Sequence, residues 1–326
     1  MVRRLAVSAA ALAAAGLLYA HLETKWFEIK HVSVPLLEPG ERDVRILQLA
    51  DLHYLPSQGI KSRWLASLAA LEPDLIVNTG DNVASAASVP ALLDIFSTSG
   101  LFEFPGVFVG GSNDYYAPIL KNPARYLFRN RQIPWDLPPL PWQELFRGFE
   151  AGGWVNLNNA RTRVTLKDGR VISLVGTDDA HHDMEVLPVP PEPNQQNAPS
   201  NGSADAWGDE QIASQAPSIK LGVTHAPYSH VLEAFKDDGV AAVIAAHTHG
   251  GQLRLPGFGA LVTNCDLDRH RAEGLHGWPG ARPTSPGGED SMWLYVSAGA
   301  GTSPYAPFRF DCRPSATVLT LTAKPS

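Results

Sequence analysis

The sequence predicts an α/β protein, and two features of the chain lead to this prediction. In the first half, short apolar segments rich in β-branched residues alternate with segments of helical periodicity. Polar residues follow directly after apolar segments at five places along the chain, namely Asp51, Asp81, Asn113, His225 and His247. Because ligands of layered α/β domains bind at the carboxyl ends of strands, we expect these strand ends to line one crevice.

Three strands and two helices are expected in the first half of the chain. Each apolar strand segment leads into a polar loop, and helical segments follow the first two, as in successive βαβ units. The predicted strands cover 44–50, 75–78 and 106–109, and the predicted helices cover 62–71 and 89–97.

The second half is expected to form a second sheet of more antiparallel character. Segments 163–166 and 171–175 flank the turn sequence Lys167-Asp168-Gly169, which predicts a hairpin. Two more strands, at 220–224 and 243–246, lead into His225 and His247. Strands at 293–297 and 317–321 are expected to complete this second sheet.

The N-terminus has the layout of an export signal. Arg3 and Arg4 precede an apolar run from Leu5 to about Ala20. We expect residues 1–22 to be a retained signal anchor, an N-terminal membrane helix that leaves the rest of the chain on the extracytoplasmic side because the arginines stay inside. The run is shorter than the ~20 residues of a comfortable span. Cleavage to a secreted form and a packed helix of a cytosolic protein are therefore the alternatives.

The remaining chain divides into a connecting segment and one domain. Residues 23–43 are predicted to be a linker followed by a first strand, and residues 44–323 to form the domain. The proline-rich stretch 118–142 is expected to be an irregular insertion with an amphipathic piece at 124–129. Pro, Asn, Ser and Gln dominate 187–216, which predicts a flexible surface insertion.

Charge and cysteine content argue against some classes of protein. With 26 Lys and Arg against 33 Asp and Glu, the net charge is -7, so we expect no nucleic-acid partner. Cys265 and Cys312 are the only cysteines, so neither a disulfide scaffold nor a thiolate zinc cluster can hold the fold. One disulfide and two unpaired thiols are both compatible with the sequence.

The polar residues at the strand ends have the chemistry of a metal site. Asp51 and His53 are separated by one residue, as are His247 and His249, and residues so spaced in an extended segment project to the same side. Oxygen and imidazole donors without a thiolate suit manganese, iron or zinc outside a structural zinc site. The candidate ligands are Asp51, His53, Asp81, Asn113, His225, His247 and His249.

The order of these motifs resembles the calcineurin-like metallophosphoesterases over nearly all of 45–321. The motifs are D-x-H from Asp51, G-D at Asp81, a glycine turn ending at Asp114, a lone His225, and H-T-H-G-G-Q from His247. The resemblance implies a four-layered α/β/β/α sandwich with metals between the strand ends of its two sheets.

The resemblance also implies a ligand assignment for two divalent cations. One cation would take Asp51, His53 and His249, the other Asn113, His225 and His247, and the Asp81 carboxylate would bridge them. A water shared by two cations becomes acidic enough to supply hydroxide for attack on a phosphate ester.

A second resemblance concerns the C-terminal part. Residues 297–303, with Pro307 and Arg309, resemble the membrane-associated bacterial branch of this family. Arg309 is a candidate for binding substrate phosphate through its fork of donors, and a structural ion pair is the alternative. His181 and His182 are expected to be an exposed loop pair, and a position at the rim of the pocket is the alternative.

One motif departs from the family pattern. The family usually has G-N-H-D, whose Asn binds metal and whose His assists the leaving group, but this chain has Gly111-Ser112-Asn113-Asp114. An ungapped alignment makes Ser112 the ligand, whereas a shift of one residue makes Asn113 the ligand and puts Asp114 in the acid position. We favour Asn113, because an amide oxygen is the better neutral donor. The expected catalytic residues are Asp81, Asp114 and His247.

The sequence therefore predicts a metal-dependent hydrolase of phosphomonoesters or phosphodiesters. The predicted membrane helix, and no other feature, suggests a lipid or an envelope-linked ester as substrate. Two alternatives are a catalytically weak metal-binding docking module, if the missing His marks lost chemistry, and a protein phosphatase. Without a general acid, which typically contributes ~10²–10⁴-fold, esters with good leaving groups should react best.

Overall fold

The computed structural model describes residues 2–120, 137–189 and 219–325. Within these ranges the chain forms two six-stranded sheets, a two-stranded hairpin and six α-helices. The predicted amphipathic piece at 124–129 and most of the predicted insertion at 187–216 lie outside the described residues.

The first sheet contains both ends of the domain. In spatial order its strands are β1 (Glu28–Leu37), β14 (Ser315–Ala323), β2 (Val44–Leu49), β3 (Leu75–Asn78), β4 (Gly106–Phe108) and β5 (Trp154–Asn156). Strands β2 to β5 run parallel to one another, while β14 pairs antiparallel with β2 and parallel with β1.

The second sheet is parallel at its centre and antiparallel at its two edges. The predicted hairpin is present, and this sheet has two antiparallel strand pairs against one in the first sheet, in line with its expected more antiparallel character. In spatial order the strands are β12 (Gly274–Trp278), β13 (Met292–Val296), β9 (Ala242–Ala245), β8 (Ile219–Val223), β7 (Val171–Gly176) and β6 (Ala160–Thr165).

The last strand lies in a different sheet from the one expected. The segment 317–321 belongs to β14 of the first sheet, where Leu319 is in register with Ile46 of β2. In the second sheet, the edge strand beside β13 is β12. Hydrophobic alternation identifies a strand without identifying its partner, so the sequence pattern could not assign the sheet.

Helices cover the outer faces of the two sheets. Beside the N-terminal α1 (Val2–Glu23), the helices are α2 (Gly59–Ser67), α3 (Ser88–Thr98), α4 (Ser112–Tyr115), α5 (Trp142–Ala151) and α6 (Ser229–Asp237), and the small hairpin is β10 (Arg254–Leu255) with β11 (Gly259–Ala260).

Three clusters of buried side chains hold these layers together. One lies between the sheets and includes Ile46 and Leu221. A second joins the first sheet to α2, α3 and α5, with Phe149 at its centre, and a third joins the second sheet to α6 through Phe235. Each buried side chain of this size contributes ~1.5–3 kcal/mol. The order is helix, sheet, sheet, helix, and the predicted mixed α/β class is confirmed.

The N-terminal segment differs from its prediction. Residues Val2–Glu23 do form a helix, α1. Among the described residues, however, no helix is both apolar enough and long enough to cross a membrane, so the predicted membrane helix is not supported. The physical reason lies in the sequence: arginines at positions 3 and 4, and His21 and Glu23 near the other end, leave an apolar run below the ~20 residues that a span needs.

The end of α1 and the segment after it are part of the domain. Glu23 is 1% exposed, and its carboxylate accepts hydrogen bonds from the backbone N–H groups of Asp311 and Cys312. Strand β1, the first strand expected within 23–43, pairs with β14 along nearly its whole length. A domain boundary at residue 44 would remove this outer strand.

We therefore expect a chain beginning at Val44 to be less stable than one beginning at Leu18. Loss of β1 removes the buried side chains of Val34 and Leu37, at ~1.5–3 kcal/mol each. Urea denaturation followed by circular dichroism should show a free energy of unfolding at least ~3 kcal/mol lower for the shorter chain. Equal unfolding free energies would show that β1 contributes nothing to the fold.

Candidate metal centre

Four side chains at strand ends converge on one point. Asp51 and His53 follow β2, Asp81 follows β3, and His249 follows β9 of the second sheet. One potential ligand atom from each lies within 4.8 Å of the others, and all but His249 are buried. The point lies between the carboxyl ends of neighbouring strands of the two sheets, as the strand-end pattern predicts.

The backbone of these residues is left-handed, not extended. The φ angles are 46° for Asp51, 40° for His53, 55° for Asp81, 69° for His247 and 51° for His249. The expectation that alternate residues of an extended segment share a side is therefore wrong, although the side chains do converge. Such conformations cost ~1–3 kcal/mol each and persist only where the surroundings hold them.

Hydrogen bonds between adjacent loops hold this backbone. The N–H of Asp51 donates to the carbonyl of Gly80 and that of His53 to the carbonyl of Asp81, each at 2.9 Å. A Cβ atom on Gly111 would lie 2.5 Å from Oδ1 of Asp81, and one on Gly299 would lie 2.5 Å from Cβ of Asp51. At Gly111 and Gly299 the main chain thus lies so close to the carboxylates that only glycine, which has no Cβ atom, fits there.

The donor atoms fit a divalent cation. Oδ1 of Asp51 is buried and accepts no hydrogen bond from the part of the chain that the structure describes. Nε2 of His53 lies 3.2 Å from Nε2 of His249 and 3.4 Å from Oδ2 of Asp81. Burial lowers the pKa of His53 to about 4 and that of His249 well below its ordinary value, so both rings are neutral with lone pairs available. These four residues could hold a metal ion.

Two further histidines lie beside Asp81. His225 shares a hydrogen bond of 2.8 Å between Nδ1 and the carbonyl of Thr79, which leaves Nε2 at 3.5 Å from Oδ1 of Asp81. The same Nε2 lies 3.2 Å from Nδ1 of His247, whose Nε2 lies 3.2 Å from the carbonyl of Asn264. Carbonyl partners of this kind fix the ring orientation and tautomer of metal-binding histidines.

Asn113 lies beside Asp81, and Ser112 does not contact it. The backbone N–H and the side-chain amide of Asn113 donate to the two oxygens of Asp81 at 2.7 and 2.8 Å. The hydroxyl of Ser112 donates instead to Asp179 at 2.7 Å. This geometry favours Asn113 over Ser112 as the ligand beside Asp81, an assignment that stays a prediction.

The charges of the site are strongly coupled. Burial raises the pKa of Asp51 to about 7, and the neighbouring Asp81 adds to the rise. Burial also acts to raise the pKa of Asp81, but His225, His53 and hydrogen bonds from Asn113 outweigh it and lower the pKa. Burial disfavours the His225 cation, yet Asp81 and Asp51 raise its pKa to about 9. Two carboxylates this close require positive charge between them.

Comparison with known proteins agrees with this chemistry. A family model described as "Calcineurin-like phosphoesterase" matches residues 44–251, which is more than half of the chain. The chain belongs to the calcineurin-like phosphoesterase family. The match confirms the predicted family, whereas the membrane-associated bacterial branch stays a prediction.

Individual relatives are distant. The chain is 27% identical to Phosphodiesterase YaeI of Escherichia coli K12 over 329 residues, which cover 98% of each chain. It is 24% identical to YpbG of Bacillus subtilis 168 over 239 residues, or 73% of this chain and 71% of YpbG. Among solved structures it resembles TT1561 of Thermus thermophilus, with 11% identity, a TM-score of 0.40 and coverage of 79% of this chain and 91% of the other.

In this calcineurin-like phosphoesterase, Asp114 does not have the position expected of a general acid. Its side chain is fully buried. The carboxylate accepts backbone N–H groups of Asp81 at 2.9 Å, Asn82 at 2.7 Å and Gly111 at 3.0 Å. Asp114 therefore organises the loops that carry Asp81 and Asn113, while its predicted catalytic role stays a prediction.

Arg309 forms no ion pair with the carboxylates of the described residues, and its binding of substrate phosphate stays a prediction. The side chain is fully buried, and one terminal nitrogen donates to the carbonyls of Ala298, Gly299 and Gly301 at 2.7 to 3.1 Å. The same nitrogen lies 3.4 Å from Nδ1 of His249. The guanidinium thus fixes the loop after β13 directly behind a candidate ligand.

The loop after β7 carries two buried site residues that its sequence does not reveal. His182 was expected to be exposed, but its side chain is 8% exposed and Nδ1 lies 2.7 Å from Oδ2 of Asp179. Asp179 was not a candidate at all, although it is fully buried. The available signal was its position, since Thr177-Asp178-Asp179 follows a strand as the other site residues do.

The structural role of Asp114 predicts a loss of stability when its charge is removed. In Asp114→Asn, the carboxamide presents one NH₂ group to three backbone donors, so at least one buried hydrogen bond is lost at ~1–3 kcal/mol. Urea denaturation should show this loss, and the exposed Asp94→Asn on α3 serves as the control with the same charge change. An unfolding free energy equal to that of the control would contradict the structural role.

Proposed function

We propose that this protein hydrolyses phosphate esters by means of two divalent cations held between its two sheets. The observation that carries the proposal is the convergence of Asp51, His53, Asp81 and His249, with a buried oxygen of Asp51 that has no hydrogen-bond partner. Family membership supports phosphoester hydrolysis as the chemistry. The phosphodiesterase name of YaeI favours diesters within this class.

The two cations would use different histidines and share one carboxylate. Asp51, His53 and His249 would hold the first, and Asn113, His225 and His247 the second. The Asp81 carboxylate, which both groups of histidines face, would contact both cations. Manganese, iron and zinc suit these nitrogen and oxygen donors. Bound divalent cations would polarise the phosphate and make water a stronger acid.

The chain's own contribution is to hold these donors in place. The carbonyls of Thr79 and Asn264 orient the rings of His225 and His247. The amide groups of Asn113 fix the carboxylate of Asp81, and Arg309 supports His249 from behind. Because these groups are already oriented, little reorganisation is needed when cations and phosphate bind.

For the alcohol part of the substrate we propose an amphiphilic group, such as a lipid or an envelope-linked molecule. The support is an exposed apolar hairpin that begins two residues after Gly251. Leu253, Leu255 and Phe258 are each more than two-fifths exposed on this hairpin. Leu253 pairs with Phe310, one residue after the arginine behind His249. Apolar chains of a substrate could therefore bind close to the candidate metal centre.

Substitution of Asp81 tests the two-cation proposal. Asp81→Asn removes the negative charge that both cations would share, so metal content after dialysis should fall. Manganese-dependent hydrolysis of bis(p-nitrophenyl) phosphate should fall ~10²-fold or more, because even residues that only hydrogen-bond to metal ligands contribute ~10–100-fold. Elemental analysis and absorbance measure the two effects. Asp94→Asn is the matched control, and chelation of wild-type protein should abolish the activity.

Other outcomes would identify the alternative functions. Hydrolysis that survives chelation, or that Asp81→Asn leaves intact, contradicts the two-cation site. Metal content without turnover on monoester or diester would favour a metal-binding docking module. Turnover of phosphorylated proteins, with little on small diesters or lipids, would favour a protein phosphatase.

The amphiphilic substrate predicts a selective effect of the hairpin. Phe258→Ser should raise KM for a phosphodiester with a long acyl chain ~10-fold, because a large apolar contact contributes ~1.5–3 kcal/mol. The same change should leave KM for bis(p-nitrophenyl) phosphate unaltered. Val155→Ser, an exposed position on β5, is the control. Equal KM values of wild type and Phe258→Ser for the acyl substrate would reject the hairpin as a substrate contact.

A further inference from the structure

We propose that His182, oriented by Asp179, donates the proton that the leaving-group oxygen needs when the ester bond breaks. The inference rests on the proposed hydrolase function and assigns a residue to its leaving-group step. An alcohol leaves poorly as an alkoxide, so a positioned acid typically contributes ~10²–10⁴-fold to such a step.

Hydrogen bonds connect the His182–Asp179 pair to helix α4, which carries Asn113. Oδ2 of Asp179 lies 2.7 Å from Nδ1 of His182 and accepts the hydroxyl of Ser112 at 2.7 Å. Oδ1 of Asp179 accepts the backbone N–H of His181 at 3.0 Å. Ser112 is the first residue of α4, and Asn113 follows it. One buried carboxylate therefore connects the loop after β7 to the edge of the candidate metal centre.

Among the described residues, the second nitrogen of the His182 ring has no hydrogen-bond partner. This atom, Nε2, is buried, while the side chain as a whole is 8% exposed. A buried polar atom left without a partner costs ~1–3 kcal/mol, so native proteins rarely keep one that serves no purpose. An oxygen of a bound ester would satisfy this nitrogen.

The position of the ring is beside the centre and outside the ligand set. The ring of His181 lies 4.7 Å from the ring of His247 and 5.5 Å from the ring of His182. His182 is thus one ring removed from a candidate ligand. This spacing suits a group that contacts the alcohol part of the ester while the cations contact the phosphate.

The other polar groups near the centre are engaged elsewhere. Asp114 accepts three backbone N–H groups, and Arg309 donates to loop carbonyls. The ammonium of Lys61 donates to the carbonyl of Leu52 at 2.6 Å, below the first ligand loop. His181 shares a hydrogen bond of 2.9 Å between Nδ1 and the hydroxyl of Tyr228, and the other histidines of the centre are candidate ligands.

The proton balance of the step is complete. In the imidazolium form both ring nitrogens of His182 carry a proton, and the Asp179 carboxylate stabilises that charge. The oxygen of water forms a bond to phosphorus, and the bond from phosphorus to the leaving oxygen breaks. The leaving oxygen keeps the electron pair and takes the proton from Nε2. The proton released by water goes to solvent, and solvent protonates His182 again.

The test compares leaving groups in metal-loaded protein. With His182→Asn, hydrolysis of an alkyl phosphodiester should fall ~10²-fold or more, whereas that of bis(p-nitrophenyl) phosphate should fall less than ~3-fold, because nitrophenolate leaves without a proton. The control His230→Asn removes another histidine near this loop, one paired with the Glu185 carboxylate on the surface. It should change neither rate.

A readout that needs no turnover accompanies the kinetics. In protein labelled with ¹⁵N in its histidines and loaded with zinc, inorganic phosphate should shift the Nε2 resonance of His182, and the His182→Asn spectrum identifies that resonance. Metal content of the variant should equal that of wild type. If the variant fails to fold, His182→Gln replaces it, and an unshifted wild-type resonance overturns the proposal.

The possible outcomes distinguish failure of this proposal from failure of the proposed hydrolase function. A wild-type protein that cleaves neither ester would refute the hydrolase function. A wild type that cleaves both, with a His182→Asn variant that loses both equally, would make His182 a structural residue and overturn the inference. Selective loss of the alkyl ester in His181→Asn, but not in His182→Asn, would also overturn it.

Discussion

The site depends on one buried carboxylate. Asp81 is surrounded by His53, His225 and Asn113, and its charge outweighs the cost of burial only because these groups face it. Its loop is held by hydrogen bonds that Asp114 accepts from the backbone. Since the residues around it come from both sheets, Asp81 can be placed correctly only when the sheets are packed together. The layered fold therefore brings His53 and His225, which come from different sheets, to the same Asp81 carboxylate.

Strain and support are divided between different parts of the molecule. Five residues of the centre have left-handed backbone, which is costly for residues other than glycine. The neighbouring sheets offset this cost through buried apolar contacts, and buried polar groups such as Asp114 and Arg309 fix the loops. A rigid interior therefore supports a set of irregular loops, as is common where a fold positions chemistry on its strand ends.

Strand positions and site residues were accessible from the sequence to different degrees. The buried strands were predicted because they are short, apolar and bounded by polar loops, and Asp51, Asp81 and His249 were identified from their place after such strands. The strand that pairs with β14 was not predictable. The alternation of apolar and polar residues along a strand shows which face is buried, but it does not show which strand lies next to it. The pairing of His182 with Asp179 was missed for a similar reason, since only the folded loop turns both side chains inward. The role of Asp114 needed the positions of backbone N–H groups, which no side-chain pattern records.

The first and last strands of the domain lie side by side. Residues of β1 pair with β14, and the loop that carries Gly299 and Arg309 packs against Asp51 and His249. During synthesis, therefore, the first sheet cannot close and the ligand loops cannot take their final shape until β14 has left the ribosome. Contacts so distant along the chain also make folding slow. The nascent polypeptide must keep its exposed strand edges from aggregating throughout this interval, and the capacity to bind metal is acquired only at the end.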